Sequence, residues 1–188
     1  MSLQAPEHAP SGPHRVLVIG IGNMYRGDDA AGLAVVQRLR EKSLQGVSIA
    51  EHHSDVLALI ETLRNASGDV SAIVVVDAVC SGARTGTVHR FNIGNMPTLP
   101  QYSTFSTHAF GLKDTLQLAR TLNLLPAHSV LYGIEVESFA EGVGLSPPVE
   151  KAVEVVVEQI ARELSTPERS FHPSLCSGQA LGGLDTAS

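Results

Sequence analysis

Residues 15–29 read RVLVIGIGNMYRGDD. This segment joins a β-branched run at 15–20 to a glycine-containing loop and two aspartates, and the residues that follow have helical spacing. A buried strand that passes through a short loop into a helix is the repeating unit of open parallel sheets. The segment therefore predicts an α/β fold.

The alternation of strands and helices continues along the chain. We predict strands at 15–20, 47–53, 72–79, 87–91 and 129–136, and helices at about 29–43, 55–65, 109–122 and 147–163. This pattern predicts one three-layer α/β domain over 15–165, with a mostly parallel, twisted five-stranded sheet and helices on both faces. Residues 1–14 and 166–188 lack periodicity, so we expect flexible tails there.

Composition narrows the possible partners. The chain has 188 residues and a net charge of −6, without a basic stripe, which argues against nucleic acid. No apolar run approaches the roughly 20 residues of a membrane span, and the first residues lack a signal-peptide pattern. Two cysteines, Cys80 and Cys176, have no metal-knuckle spacing and predict no structural disulfide. We expect a cytoplasmic monomer that contacts no membrane.

The glycine loop at residues 20–29 does not match a dinucleotide-binding loop. Tyr25 stands where such a loop has its third glycine. Asp28 and Asp29 would also repel a phosphate. We therefore expect no nucleotide cofactor. The residue type and position of Asp28 favour a helix N-cap, whereas Asp29, the second acid, is the better candidate for chemistry.

Two further side chains are predicted to lie near Asp29. Asp77 follows the apolar run 73–76, and His108 falls in the first turn of a helix that Ser106 or Thr107 would cap. Ligands of open α/β sheets bind at the carboxyl ends of the strands. Two carboxylates and an imidazole there would suit a divalent ion such as nickel, zinc or manganese.

Other polar residues at strand ends are weaker candidates. His52 and His53 end the second strand, and Glu135 and Glu137 end or follow the fifth. Any of these could support the ligands or bind substrate. Cys80 offers an alternative nucleophile, which would make the protein a cysteine protease. The sequence contains no G-x-S-x-G elbow and no H-E-x-x-H helix.

Four motifs in order along residues 15–164 resemble those of the hydrogenase maturation endopeptidases. They are the G-x-G-N-(four residues)-D-[DE]-x-x-G loop at Gly20–Gly32, the strand ending in Asp77, the S-x-H-x-x-G-L segment at Ser106–Leu112, and the G-L-[ST]-P run at Gly144–Pro147. One departure is the run EHHSD at 51–55, where members of this family often have Gly-Gly-Thr. The loop that contacts substrate is therefore expected to differ.

The resemblance implies a function as well as a phosphorylase/hydrolase-like fold. These endopeptidases trim the C-terminal extension of the large-subunit precursor of nickel–iron hydrogenases. The resemblance assigns Asp29, Asp77 and His108 to the metal-contacting and catalytic site, and the nickel is supplied by the precursor. A carboxylate or a metal-polarised water would then attack the scissile bond. The alternative is a non-catalytic metal-binding chaperone or accessory module for the large subunit.

Overall fold

The protein is described by a computed structural model that covers residues 15–53, 56–94, 112–139 and 141–165. The predicted order of strands and helices is confirmed, with ends that differ by a few residues. The elements are β1 Val16–Ile21, α1 Ala31–Glu41, β2 Val47–His52, α2 Val56–Ala66, β3 Ala72–Val79, β4 Val88–Asn92, α3 Leu112–Thr121, β5 His128–Glu135 and α4 Pro147–Ser165. The predicted tails at 1–14 and 166–188 lie outside the described residues.

The five strands form one sheet in the order β2-β1-β3-β5-β4. The pairs β1–β2, β1–β3 and β3–β5 are parallel, and β4 runs antiparallel to β5 at the edge. Residues 80–87, between β3 and β4, are too few for the crossover of a dozen or more residues that parallel strands need. The chain therefore turns back, and the sheet is mostly parallel as predicted.

Helices cover both faces of the sheet because alternate residues of each central strand point to opposite sides. Val18 and Val74 belong to the core beneath α1 and α4. Ile19 and Val75 belong to the core beneath α2 and α3. This arrangement confirms the three-layer fold. None of the helices in the described ranges is both long enough and apolar enough to cross a membrane.

Two glycines let α1 lie directly against the sheet. A Cβ atom on Gly20 of β1 would lie 2.3 Å from the carbonyl oxygen of Gly32 in the first turn of α1. A Cβ atom on Gly32 would lie 2.4 Å from the carbonyl oxygen of Val76 in β3. Both distances are too short for a real side chain, and both obstacles are backbone atoms. The glycines of the first motif therefore set the position of α1 over β1 and β3.

We expect Gly32→Ala to lower the free energy of unfolding by about 1–3 kcal/mol, because the added methyl group must push α1 away from the sheet. Urea unfolding followed by circular dichroism measures this change. Gly142→Ala is the matched control, since among the described residues the nearest atom to a Cβ there lies 3.9 Å away. Equal stability of the two variants would contradict the close packing of α1.

Candidate functional site

The structure brings two of the predicted site residues together. Asp29 lies in a 3-10 turn, Gly27–Ala30, directly before α1. Asp77 lies near the carboxyl end of β3, the strand over which α1 begins. Both side chains are completely buried. They are close enough for the charge of Asp29 to act on Asp77, and we call them the acid pair.

The acid pair is electrostatically unfavourable when both groups are charged. Burial raises the pKa of Asp77 well above its usual range, and the negative charge of Asp29 raises it further. The Ala78 N–H donates a hydrogen bond to Oδ1 of Asp77 at 2.9 Å, and this bond lowers the pKa of Asp77. Oδ2 of Asp77 is buried and accepts no hydrogen bond from any residue that the structure describes. A proton or a metal cation at this oxygen would relieve the repulsion.

The third predicted ligand, His108, lies outside the described residues, as do Ser106 and Thr107, its predicted helix caps. Within the described ranges, no three His, Cys, Asp or Glu side chains form a group that could hold a metal ion. Of the three predicted metal ligands, the structure describes Asp29 and Asp77 alone.

Asp28 has a different partner from the one predicted. The N-cap residue of α1 is Ala30, whose side chain makes no capping hydrogen bond. The carboxylate of Asp28 instead accepts hydrogen bonds from the backbone N–H of Ser146 at 2.6 Å and from its hydroxyl at 2.8 Å. Ser146 directly precedes α4. The N-cap prediction for Asp28 is wrong because the 3-10 turn delays the start of α1 to Ala31.

Two loops at this edge of the sheet are joined by further hydrogen bonds. The first rim loop, residues 22–28, follows β1, and the second rim loop, residues 136–139 and 141–146, precedes α4. The bonds run from the Arg26 guanidinium to the Phe139 carbonyl at 2.7 Å, from the Gly27 N–H to the Gly142 carbonyl at 2.8 Å, and from the Gly142 N–H to the Tyr25 carbonyl at 3.2 Å. Together with Asp28 and Ser146, they hold the loop that leads into Asp29.

Glu135 anchors the link between β3 and β4. Its buried carboxylate accepts hydrogen bonds from the backbone N–H groups of Ser81, Gly82 and Ala83 at 2.6, 2.9 and 3.1 Å, and from the Ser81 hydroxyl at 2.8 Å. His89 Nε2 lies 3.0 Å from the same carboxylate. These contacts use the oxygens that a metal ligand would need, so the geometry supports a structural role for Glu135.

The remaining sequence candidates have other positions and contacts. His52 is buried at the end of β2, and its carbonyl oxygen accepts the Gly22 N–H at 3.1 Å. His53 and Glu137 are exposed. The half-buried thiol of Cys80 donates to the Glu137 carbonyl at 3.7 Å. Within the described part of the chain, this contact of the thiol is with a backbone carbonyl rather than with a general base.

Comparison with known sequences identifies a related family. A family model described as hydrogenase maturation protease matches residues 34–163. The hydrogenase 2 maturation protease of Escherichia coli is 28% identical over 153 residues, which cover 80% of this chain and 90% of that protein. The hydrogenase expression/formation protein HupD of Rhodobacter capsulatus is 29% identical over 157 residues, covering 81% of this chain and 72% of that protein.

Solved structures of two related proteins have the same fold. The hydrogenase maturating endopeptidase HybD from E. coli is 26% identical with a TM-score of 0.60, covering 78% of this chain and 89% of its own. The [NiFe] hydrogenase maturation protease HybD from Thermococcus kodakarensis is 28% identical with a TM-score of 0.59, covering 81% of this chain and 99% of its own. The similarity therefore extends over nearly the full length of these proteins.

Asp77→Asn is expected to stabilise the metal-free protein at pH 7 by about 1 kcal/mol or more. The amide keeps the acceptor for the Ala78 N–H but removes the buried charge. Because the folded-state pKa of Asp77 is raised, its unfavourable contribution grows as the pH rises above the unfolded-state value of about 4. The difference between variant and wild type should therefore disappear toward pH 4.

Urea unfolding at pH 7 and at pH 4 measures this dependence. Asp69→Asn serves as the control, because Asp69 is exposed and the change should leave stability nearly constant at both pH values. An Asp77→Asn variant that is less stable than wild type at pH 7 would show that the folded protein favours the charged carboxylate.

Proposed function

The chain belongs to the family of hydrogenase maturation proteases, and on that premise we propose that it removes the C-terminal extension from the nickel-loaded large-subunit precursor of a nickel–iron hydrogenase. The relative named as a hydrogenase 2 maturation protease is matched over 90% of its length. The similarity therefore includes the whole protease fold rather than a shared fragment.

The observation that carries the proposal is the acid pair. Asp29 and Asp77 are both completely buried, and each makes a negative charge on the other costly. One oxygen of Asp77 accepts no hydrogen bond within the described ranges. Paired buried carboxylates of this kind favour a cation, and strongly perturbed acids are concentrated at functional sites.

We propose that Asp29 and Asp77, with His108 as the third ligand, bind the nickel that the precursor carries. The nickel is then part of the substrate, and its binding fixes the neighbouring scissile bond relative to the enzyme. Attack on that bond comes from a carboxylate of the site or from a water polarised by the metal. Charging both members of the acid pair without a cation is costly, so the site favours a precursor that brings nickel.

We also propose that the protein acts in the cytoplasm as a monomer. The free thiol of Cys80 suits a reducing compartment. A net charge of −6 produces self-repulsion that opposes association of identical copies. Fractionation of cells and size-exclusion chromatography with light scattering test the two parts of this proposal.

The intact mass of a nickel-loaded large-subunit precursor, followed over time with the protein, tests the proposed function. Wild type is expected to release a C-terminal peptide. Asp29→Asn, Asp77→Asn and His108→Ala should each slow the release at least about tenfold. The two amides lose the negative charge of the ligand, and the alanine loses the ligand itself. Asp69→Asn, at an exposed acid, and Cys80→Ser should cleave at the wild-type rate.

Each alternative has a distinct outcome in this assay. Wild-type rates for both Asp29→Asn and His108→Ala would refute the assigned site. Loss of cleavage in Cys80→Ser would indicate a cysteine protease. A stable complex with the precursor but no change in mass for the wild type would indicate a non-catalytic chaperone.

A further inference from the structure

Exposed apolar side chains are concentrated beside the acid pair. The described part of the chain has seven large hydrophobic residues that are exposed, and four of them lie at the carboxyl edge of the sheet. Three of the four are on the rim loops: Met24, Tyr25 and Val143, which are 50%, 81% and 93% exposed. We call these three side chains the apolar rim. A cluster of this kind at a functional edge is typical of a binding surface.

The tip of the first rim loop is tied directly to Asp29. Met24 and Tyr25 lie between Asn23 and Arg26 in the sequence. The Asn23 N–H donates to the Asp29 carbonyl at 3.2 Å, and the Asp29 N–H donates to the Arg26 carbonyl at 3.1 Å. The position of the exposed tip is therefore linked to the backbone of one member of the acid pair.

Val143 shares this surface because its neighbour Gly142 is bonded to the first rim loop. Gly142 donates to the Tyr25 carbonyl and accepts from the Gly27 N–H, as described above. The backbone that carries the apolar rim is thus held by hydrogen bonds before any partner binds. A preorganised surface loses less conformational entropy on binding, so its apolar contacts contribute more to affinity.

We propose that the apolar rim docks the folded body of the large-subunit precursor, through an apolar patch on the precursor beside its C-terminal extension. This inference rests on the proposed function. The polypeptide substrate of a protease must cover the active site. The loop that carries Met24 and Tyr25 is hydrogen-bonded to Asp29, so the apolar rim lies beside the surface that the substrate covers. Tyr is enriched at the centres of such interfaces. The rim contributes to binding of the precursor and not to cleavage of the bond.

Steady-state cleavage of the nickel-loaded precursor tests the proposal with the double variant Tyr25→Ala/Val143→Ala. Its KM is expected to rise at least about tenfold, with kcat within about twofold of wild type. The matched control is Leu118→Ala/Val155→Ala, which removes exposed apolar side chains, 47% exposed each, from α3 and α4. The control should leave both constants unchanged. Thermal unfolding of both double variants verifies that the fold is intact.

Several results would overturn the docking proposal. An unchanged KM in the rim variant, with active wild type, would refute it while leaving the proposed function in place. A reduced kcat at constant KM would assign the rim to chemistry instead. A shift from dimer to monomer in the rim variant would identify a second copy as the occupant. Increased proteolysis within residues 95–111 of the rim variant, in the absence of precursor, would identify that segment of the same chain as the occupant.

A failure of the proposed function can be distinguished from a failure of the docking proposal. If wild type leaves the precursor uncut, binding of the same precursor to immobilised protein still compares the two double variants. At least about tenfold weaker binding by the rim variant alone supports docking without proteolysis. Equal binding by both variants would contradict it.

Discussion

The contact of α1 with the sheet is the constraint on which the acid pair depends. Gly20 and Gly32 leave no room for a Cβ atom, so backbone meets backbone where α1 crosses β1 and β3. This approach brings the turn before α1, with Asp29, over the end of β3, where Asp77 lies. A larger residue at either glycine would separate the two carboxylates. The glycine motif therefore allows α1 to pack closely on the sheet, and this packing positions the acid pair.

The buried carboxylates of Glu135 and Asp77 have very different surroundings. Glu135 is as deeply buried as Asp77, but backbone amides, a hydroxyl and a histidine surround its oxygens. Asp77 has an acidic neighbour and an oxygen without a hydrogen bond from the described residues. Burial of a charge in the second setting lowers stability. Such a cost is expected where a site awaits a cation from its substrate.

Local sequence patterns predicted the strands, the helices and the approach of Asp29 to Asp77, because these depend on periodicity and on the geometry of parallel sheets. The partner of Asp28 could not be predicted, since Ser146 is 118 residues away and meets it only through tertiary packing. The predicted start of the last helix at residue 147 is confirmed, because α4 begins at Pro147, and proline is favourable at the first helical position. The hydrogen bonds of Glu135 likewise require β5 to lie beside β3, which the sequence does not specify.

Carbon-13 NMR titration of the aspartate carboxyls, in wild type and in Asp29→Asn, tests the existence of the acid pair most directly. In the metal-free wild type, Asp77 should titrate well above the usual range of an aspartate. In Asp29→Asn its pKa should fall, because the neighbouring negative charge is gone, but burial should still hold it above the usual range. Titration of Asp77 in the usual range in both proteins would contradict a buried and coupled pair.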